Sequence, residues 1–202
     1  MQQNSDLIVK TKNLTKRFGK LTAVDNLNIE VHRGEVFGFL GPNGSGKSTV
    51  IGMLLGFIQP TSGKAYVFDM STKNHLSKIL KRIGALTEGA SFYPYLSGEE
   101  NLKYFAHITG GIKNSRLKEV LELVGLIGRE KDPFRNYSLG MKQRLGIACA
   151  LLNDPEFVVL DEPTNGLDPA GNKEIRELII NLGREGKTVF LNSHLLYRQI
   201  IR

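Results

Sequence analysis

The sequence predicts an α/β fold in which extended and helical segments alternate around a parallel sheet, with a helical insertion in its middle. Three observations carry that expectation. Short apolar runs such as "VFGFL" and "FVVLD" are separated by stretches with the 3.6-residue period of helices. The Gly-rich segment "GPNGSGKST" stands between one such run and a helical pattern. The stretch "FVVLDEPTNGLDP", with Pro155 before its apolar run and Pro163 after it, reads as a buried strand of a parallel sheet that ends in two adjacent carboxylates, Asp161 and Glu162.

In chain order, extended segments are expected at residues 7–12, 23–31 and 36–40, with Arg33 and Gly34 as the turn between the last two. A helix begins near Gly46 and is closed by the turn residues "QPTSG" at 59–63, after which "KAYVFD" at 64–69 is a further strand. Helices are expected at 74–82, 98–109, 114–124 and 138–152, so the insertion runs from about 74 to 152 within one domain of 202 residues. Residues 172–184 read as helix and "KTVFLNS" as a buried strand.

Composition sets the class. With 41% hydrophobic and 23% charged residues the chain suits one globular domain rather than a disordered or fibrous one. Its single cysteine, Cys149, cannot make an internal disulfide and sits in apolar "GIACALL", as a small core residue in a reducing compartment would. The polar N-terminus has no signal-peptide core, and no apolar run approaches the ~18 residues of a membrane span. A cytoplasmic protein is expected. The net charge of +7 suits nucleic acid, an acidic membrane or polyphosphate, but aromatics are not interleaved with the basic residues, and the densest cluster, "KILKR", reads as a solvated helix face.

"GPNGSGKST" has the spacing of a phosphate-binding loop: Gly41, Pro42, Asn43, Gly44, Ser45, Gly46, Lys47, Ser48 and Thr49. Following a strand and opening a helix, its backbone N–H groups can wrap a polyphosphate, with Lys47 reaching the β- and γ-phosphates and the Ser48 hydroxyl on Mg²⁺. Asp161 then suits the Mg²⁺ partner, held through water. Neighbouring strand residues point to opposite faces, so Glu162 is left for a different role, that of orienting and polarising an attacking water. A second helix N-terminus capable of holding an anion is expected at Ser138, a good N-cap, in "NYSLGMKQRLGIACALL".

The order of these motifs (glycine loop, Ser-Leu-Gly-Met-Lys-Gln, the strand with Asp161 and Glu162, "GLDP", and a strand ending at His194) resembles the nucleotide-binding subunit of ATP-binding cassette (ABC) transporters. The resemblance covers about residues 7–194. It implies a phosphate-binding-loop NTPase core with an antiparallel β subdomain and a helical signature subdomain. It further implies two domains paired head to tail, each ATP lying between the glycine loop of one and the signature residues Ser138, Gly140, Met141 and Gln143 of the other. By the same resemblance Phe18 stacks on adenine, Asp168 lies in a loop crossing the dimer axis, and His194 contacts the γ-phosphate. The histidines His32, His75 and His107 match no motif.

Three departures from the family pattern stand out. Leu139 replaces the first glycine of the signature, and Glu88 replaces a glutamine that touches Mg²⁺ and signals to the membrane subunit. Together with "FYPYLS" these look like the subfamily similar to bacitracin-export ATPases. The chain also stops at Arg202, soon after the switch histidine, so a truncated C-terminal end is expected. The implied protein is an ATP-hydrolysing subunit, peripheral at the inner face of the membrane, energising a separate membrane-spanning subunit that exports antibiotic peptides or other drugs. An ABC-type ATPase coupled to nucleic acid is the alternative. It explains the basic charge, but such heads carry long insertions or doubled domains that 202 residues do not hold, so no nucleic acid is expected. A small-metabolite kinase leaves the signature helix unexplained.

Overall fold

The computed structural model describes residues 6–87 and 91–193. Two sheets organise the chain. In the first, β1 (Leu7–Phe18) pairs antiparallel with β2 (Leu21–Leu27), β3 (Glu30–His32) and β5 (Ser62–Val67), and β5 continues to β6 (Met70–Ser71). In the second, four parallel strands lie in the order β4 (Val36–Leu40), β9 (Thr188–Ser193), β8 (Phe157–Asp161) and β7 (Ile83–Leu86). Parallel neighbours need crossovers, and helices provide them. These are α1 (Lys47–Leu54), α2 (Leu76–Leu80), α3 (Gly98–Ile108), α4 (Asn114–Leu123), α5 (Leu139–Leu151) and α6 (Pro169–Arg184).

The central strand explains how two cores share one sheet. Along β8, Phe157 and Val159 belong to the cluster built by α1 and the antiparallel sheet, while Val158 and Leu160 belong to the cluster built by α3 to α6. This is the period-2 alternation of a strand buried on both faces. Full burial of side chains such as Phe157 and Phe190 contributes about 1.5–3 kcal/mol each. By the same alternation the terminal Asp161 falls on the α1 side.

Several expected boundaries move, each for a local reason. The single strand expected at 23–31 is two, because Asn26 takes a left-handed φ of 47° and breaks the pleat. The Asn28 side chain fastens this break: its carbonyl accepts from the Asn13 backbone N–H at 2.9 Å and its amide donates to Asn13 Oδ1 at 3.0 Å. The first strand runs on to Phe18 instead of stopping at residue 12. The span 74–152 is not helical throughout, since β7 lies inside it and belongs to the parallel sheet. At Gly84 a Cβ would meet the Ala150 carbonyl oxygen at 1.9 Å, so this short strand lies directly against the backbone of α5.

The last long helix starts at Pro169 rather than residue 172, because Asp168 caps it, accepting from the Gly171 N–H at 2.9 Å. In α3 the expected start holds, through a capping box between Ser97 and Glu100. Bonds from Ser97 hold the Glu100 carboxyl below its ordinary range.

The "KILKR" cluster is not wholly a solvated face. Arg82 stacks on the Phe68 ring at 3.8 Å and bonds Glu156 through Nε at 2.6 Å, while Arg33 bonds the same carboxylate at 2.9 Å. Burial pushes the Cys149 thiol up to about 11, as an inert core cysteine requires. The three unmatched histidines, His32, His75 and His107, are exposed. Among the described residues no helix is long and apolar enough to cross a membrane.

Candidate functional site

The glycine loop connects β4 to α1, and its conformation depends on residues without a Cβ. Gly44 and Gly46 have φ of 81° and 86°, and a Cβ on Gly46 would lie 2.2 Å from the Ala23 carbonyl oxygen. The loop therefore packs against the backbone of β2. That approach brings Phe18, at the end of β1, to the loop's mouth.

Phe18, Leu21, Asn43, Gly44, Gly46, Lys47, Ser48, Thr49, Glu162 and Asn192 line one cavity of about 490 Å³. Phe18 is 48% exposed and carries the Lys16 ammonium 4.8 Å from its ring centroid. An aromatic face with a cation beside a cradle of N–H groups suits a planar base joined to a polyphosphate.

Lys47 is the buried cation of this cavity. Its ammonium donates to the carbonyls of Gly41 at 2.7 Å and Pro42 at 2.9 Å, and stands 4.0 Å from the Glu162 carboxylate. A lysine this buried needs such partners. Ser45 closes the loop, its N–H donating to the Pro42 carbonyl at 3.2 Å.

Asp161 and Glu162 differ in burial, partners and backbone, although both line the second cavity described below. Asp161 is buried and accepts a hydrogen bond from the Asn192 side-chain amide of the neighbouring strand, its partner in the β8–β9 register. Glu162 leaves the strand with a left-handed φ of 50°, its N–H donating to the Asn192 carbonyl at 3.0 Å. A carboxylate residue in that region is strained, and such strain gathers where a side chain must be aimed. Its aim puts it on the walls of two cavities at once.

The second cavity, about 480 Å³, holds Leu86, Thr87, Ser91, Phe92, Phe134, Leu139, Lys142, Gln143, Asp161, Glu162 and Asn165. It joins the N-terminal end of α5 to the acids at the end of β8. Ser138 is the N-cap of α5, accepting from the Met141 N–H at 3.3 Å. The Met141 side chain packs on the helical core, whereas Leu139 is 46% exposed. The signature residues Ser138, Gly140 and Met141 do not line the glycine-loop cavity of their own chain, and Gln143 lines the second cavity.

The oxygen donors that suit Mg²⁺ are a buried carboxylate at Asp161, which lines the second cavity, and an exposed hydroxyl at Ser48, which lines the glycine-loop cavity. Among the described residues no cluster of acids, histidines and cysteine would cage a metal, so phosphate oxygens and water would complete its shell. Glu88 and His194, expected at the metal and at the γ-phosphate, lie outside the described residues.

Sequence reasoning missed two residues of the site, Asn165 and Asn192. The signal for Asn192 was present, since its amide directly follows the apolar "VFL" inside a segment read as a buried strand.

Comparison with known proteins agrees with this geometry. The ABC transporter family model matches residues 24–165. The bacitracin transport ATP-binding protein BcrA of Bacillus licheniformis is 51% identical over 190 residues, covering 94% of this chain and 62% of that protein. The lantibiotic transport ATP-binding protein SrtF of Streptococcus pyogenes is 41% identical over 189 residues, covering 94% of this chain and 81% of its own length. The post-hydrolysis dimer of the ATP-binding cassette MJ0796 bound to ADP and Pi superposes with a TM-score of 0.81 at 30% identity, covering 93% of this chain and 88% of that one. The chain thus spans 62% of the length of its BcrA relative and most of the length of solved cassettes, with glycine loop, capped signature helix and paired acids in place. It belongs to the ABC transporter family.

Proposed function

We propose that this chain binds ATP with Mg²⁺ and hydrolyses it, as the energy-supplying subunit of an exporter of antibiotic peptides. The observation that carries the reading is the shared wall: Lys47, Ser48, Phe18 and Glu162 line one cavity, and Glu162 also lines the cavity that reaches α5. Bacitracin and lantibiotic transport proteins among the relatives favour export over coupling to nucleic acid.

In this reading the adenine stacks on Phe18 and the phosphates lie against the N–H groups of residues 43–49 and the N-terminus of α1. Lys47 turns from the loop carbonyls to the β- and γ-phosphates, a charge-assisted contact. Ser48 and, through water, Asp161 would hold Mg²⁺, which when bound would neutralise phosphate charge. Glu162, strained and next to Lys47, orients a water for attack on the γ-phosphorus and draws its proton.

The family pattern assigns Ser138, Gly140 and Gln143 to the nucleotide of a second copy, and none of the three lines the glycine-loop cavity of its own chain. Head-to-tail pairing is part of this reading, and the dimeric MJ0796 cassettes support pairing in general. His194 and Glu88 complete the site by the family pattern. The protein would work at the inner face of the membrane beside a membrane-spanning subunit. The test is phosphate release from ATP: release that requires Mg²⁺ supports the reading, and release no greater than that of heat-denatured protein overturns it.

A further inference from the structure

We propose that Asn192 is a positioning residue of the metal site, acting on the nucleotide-bound Mg²⁺ through Asp161. The proposal rests on the ATP and Mg²⁺ reading above. Asn192 is fully buried, yet it is among the residues that line the cavity holding Lys47, Ser48 and Glu162. In the β8–β9 register it is directly opposite Asp161, and its amide donates to the Asp161 carboxylate. Same-face neighbours on adjacent strands meet side chain to side chain, so this bond fixes which way the carboxylate turns.

The other end of the amide is as informative. Asn192 Oδ1 is buried and has no hydrogen-bond partner among the described residues. Buried polar atoms are seldom left so, and an acceptor beside a metal-bearing carboxylate suits a water of the Mg²⁺ shell. An apolar residue would suit this strand better, since Val189, Phe190 and Leu191 before it are all buried. Asn192 is thus a costly choice for packing and an apt one for orientation. Its backbone does a separate job, its carbonyl accepting from the N–H of Glu162 at 3.0 Å, and substitution of the side chain leaves that bond available.

The experiment separates metal from nucleotide. ATP affinity is measured by titration in chelator and in saturating Mg²⁺ for wild type, Asn192→Leu and Asn192→Val. Valine suits a buried strand, so the valine variant decides the question if the leucine variant does not fold. Both variants are expected to lose about tenfold or more of the Mg²⁺-dependent gain in ATP affinity, each measured against its own affinity in chelator, the scale seen when groups behind metal ligands are removed. Electron paramagnetic resonance of Mn²⁺ with ADP provides a readout free of turnover, with the bound-Mn²⁺ signal weakened in the variants. Retention of the full Mg²⁺ gain, or an equal loss in chelator and in Mg²⁺, overturns the role of Asn192. Failure of wild type to bind ATP under either condition instead overturns the proposed function.

Discussion

The Lys47 ammonium stands 4.0 Å from the Glu162 carboxylate, with side-chain exposures of 6% and 11%. At that separation and burial the two charges influence each other far more than a surface pair does. The loop that carries Lys47 and the strand end that carries Glu162 are therefore electrostatically linked before any phosphate is considered.

For Lys47 the consequence is a loss of binding. Lys47→Ala removes a charge-assisted phosphate contact, and such contacts contribute about 1.5–3 kcal/mol, or roughly 10- to 150-fold in affinity. Calorimetric titration with ATP and Mg²⁺ should show that loss. Equal affinity in wild type and variant would remove Lys47 from the phosphate site.

For Glu162 the loss should fall on turnover. Glu162→Gln keeps the side chain's size but cannot take a proton from water, and positioned bases contribute about 10²- to 10⁴-fold. The neutral amide also releases Lys47 from its nearest carboxylate, so ATP binding should be retained or strengthened. Steady-state phosphate release beside ATP titration checks both halves. Unchanged turnover would move the role to another residue, with His194 first in line.

Much of this arrangement was legible in the sequence, for identifiable reasons. The glycine loop and the Asp161–Glu162 strand end carry their chemistry in residue type and local order, and local order survives folding. The helix start at residue 98 was likewise a local signal. Long-range contacts hid what was missed. Strand β7 is a short segment with a glycine in it, and Gly84 is there because the Ala150 carbonyl of α5 approaches it. The Asn13–Asn28 clamp that splits the second strand joins residues 15 apart. Asn192 gains meaning from Asp161, its partner 31 residues away across the sheet.

Another long-range contact makes a pH-dependent prediction. Glu156 accepts from Arg82 at 2.6 and 3.0 Å and from Arg33 at 2.9 Å, and these bonds, Arg82 foremost, hold its carboxyl down at about 2 against an ordinary 4.5. A depressed folded-state pKa stabilises the fold above the unfolded value, and that contribution is lost as pH falls through the folded one. The Glu156 carboxylate should therefore stabilise the protein fully above about pH 4.5, and progressively less from there toward pH 2. Urea midpoints of wild type and Glu156→Gln, compared from pH 7 down to pH 3, should show a gap that narrows with acid. A gap independent of pH would mean that packing of the Arg82 side chain on Phe68, rather than charge, is what Glu156 secures.

Leu139, standing where the signature pattern has a glycine, reaches across to the loop that leads to Asp168. A Cβ on Gly166 would lie 3.0 Å from Leu139 Cδ2, tighter than ordinary contact, and Gly166 has a φ of 75°. Gly166→Ala should therefore suffer twice, from the left-handed backbone at about 1–2 kcal/mol and from crowding against the leucine. Leu139→Ala removes the crowding partner while keeping a good helix former in the first turn of α5, and it leaves the backbone strain untouched. In a double-mutant cycle on denaturant stability, Gly166→Ala should thus cost less in the Leu139→Ala background, by a coupling of about 0.5–1 kcal/mol. Additivity within about 0.3 kcal/mol would show that the two loops do not press on each other. Coupling of the expected sign would make Leu139 a strut between the signature helix and the Asp168 loop, at a position where a glycine could not reach.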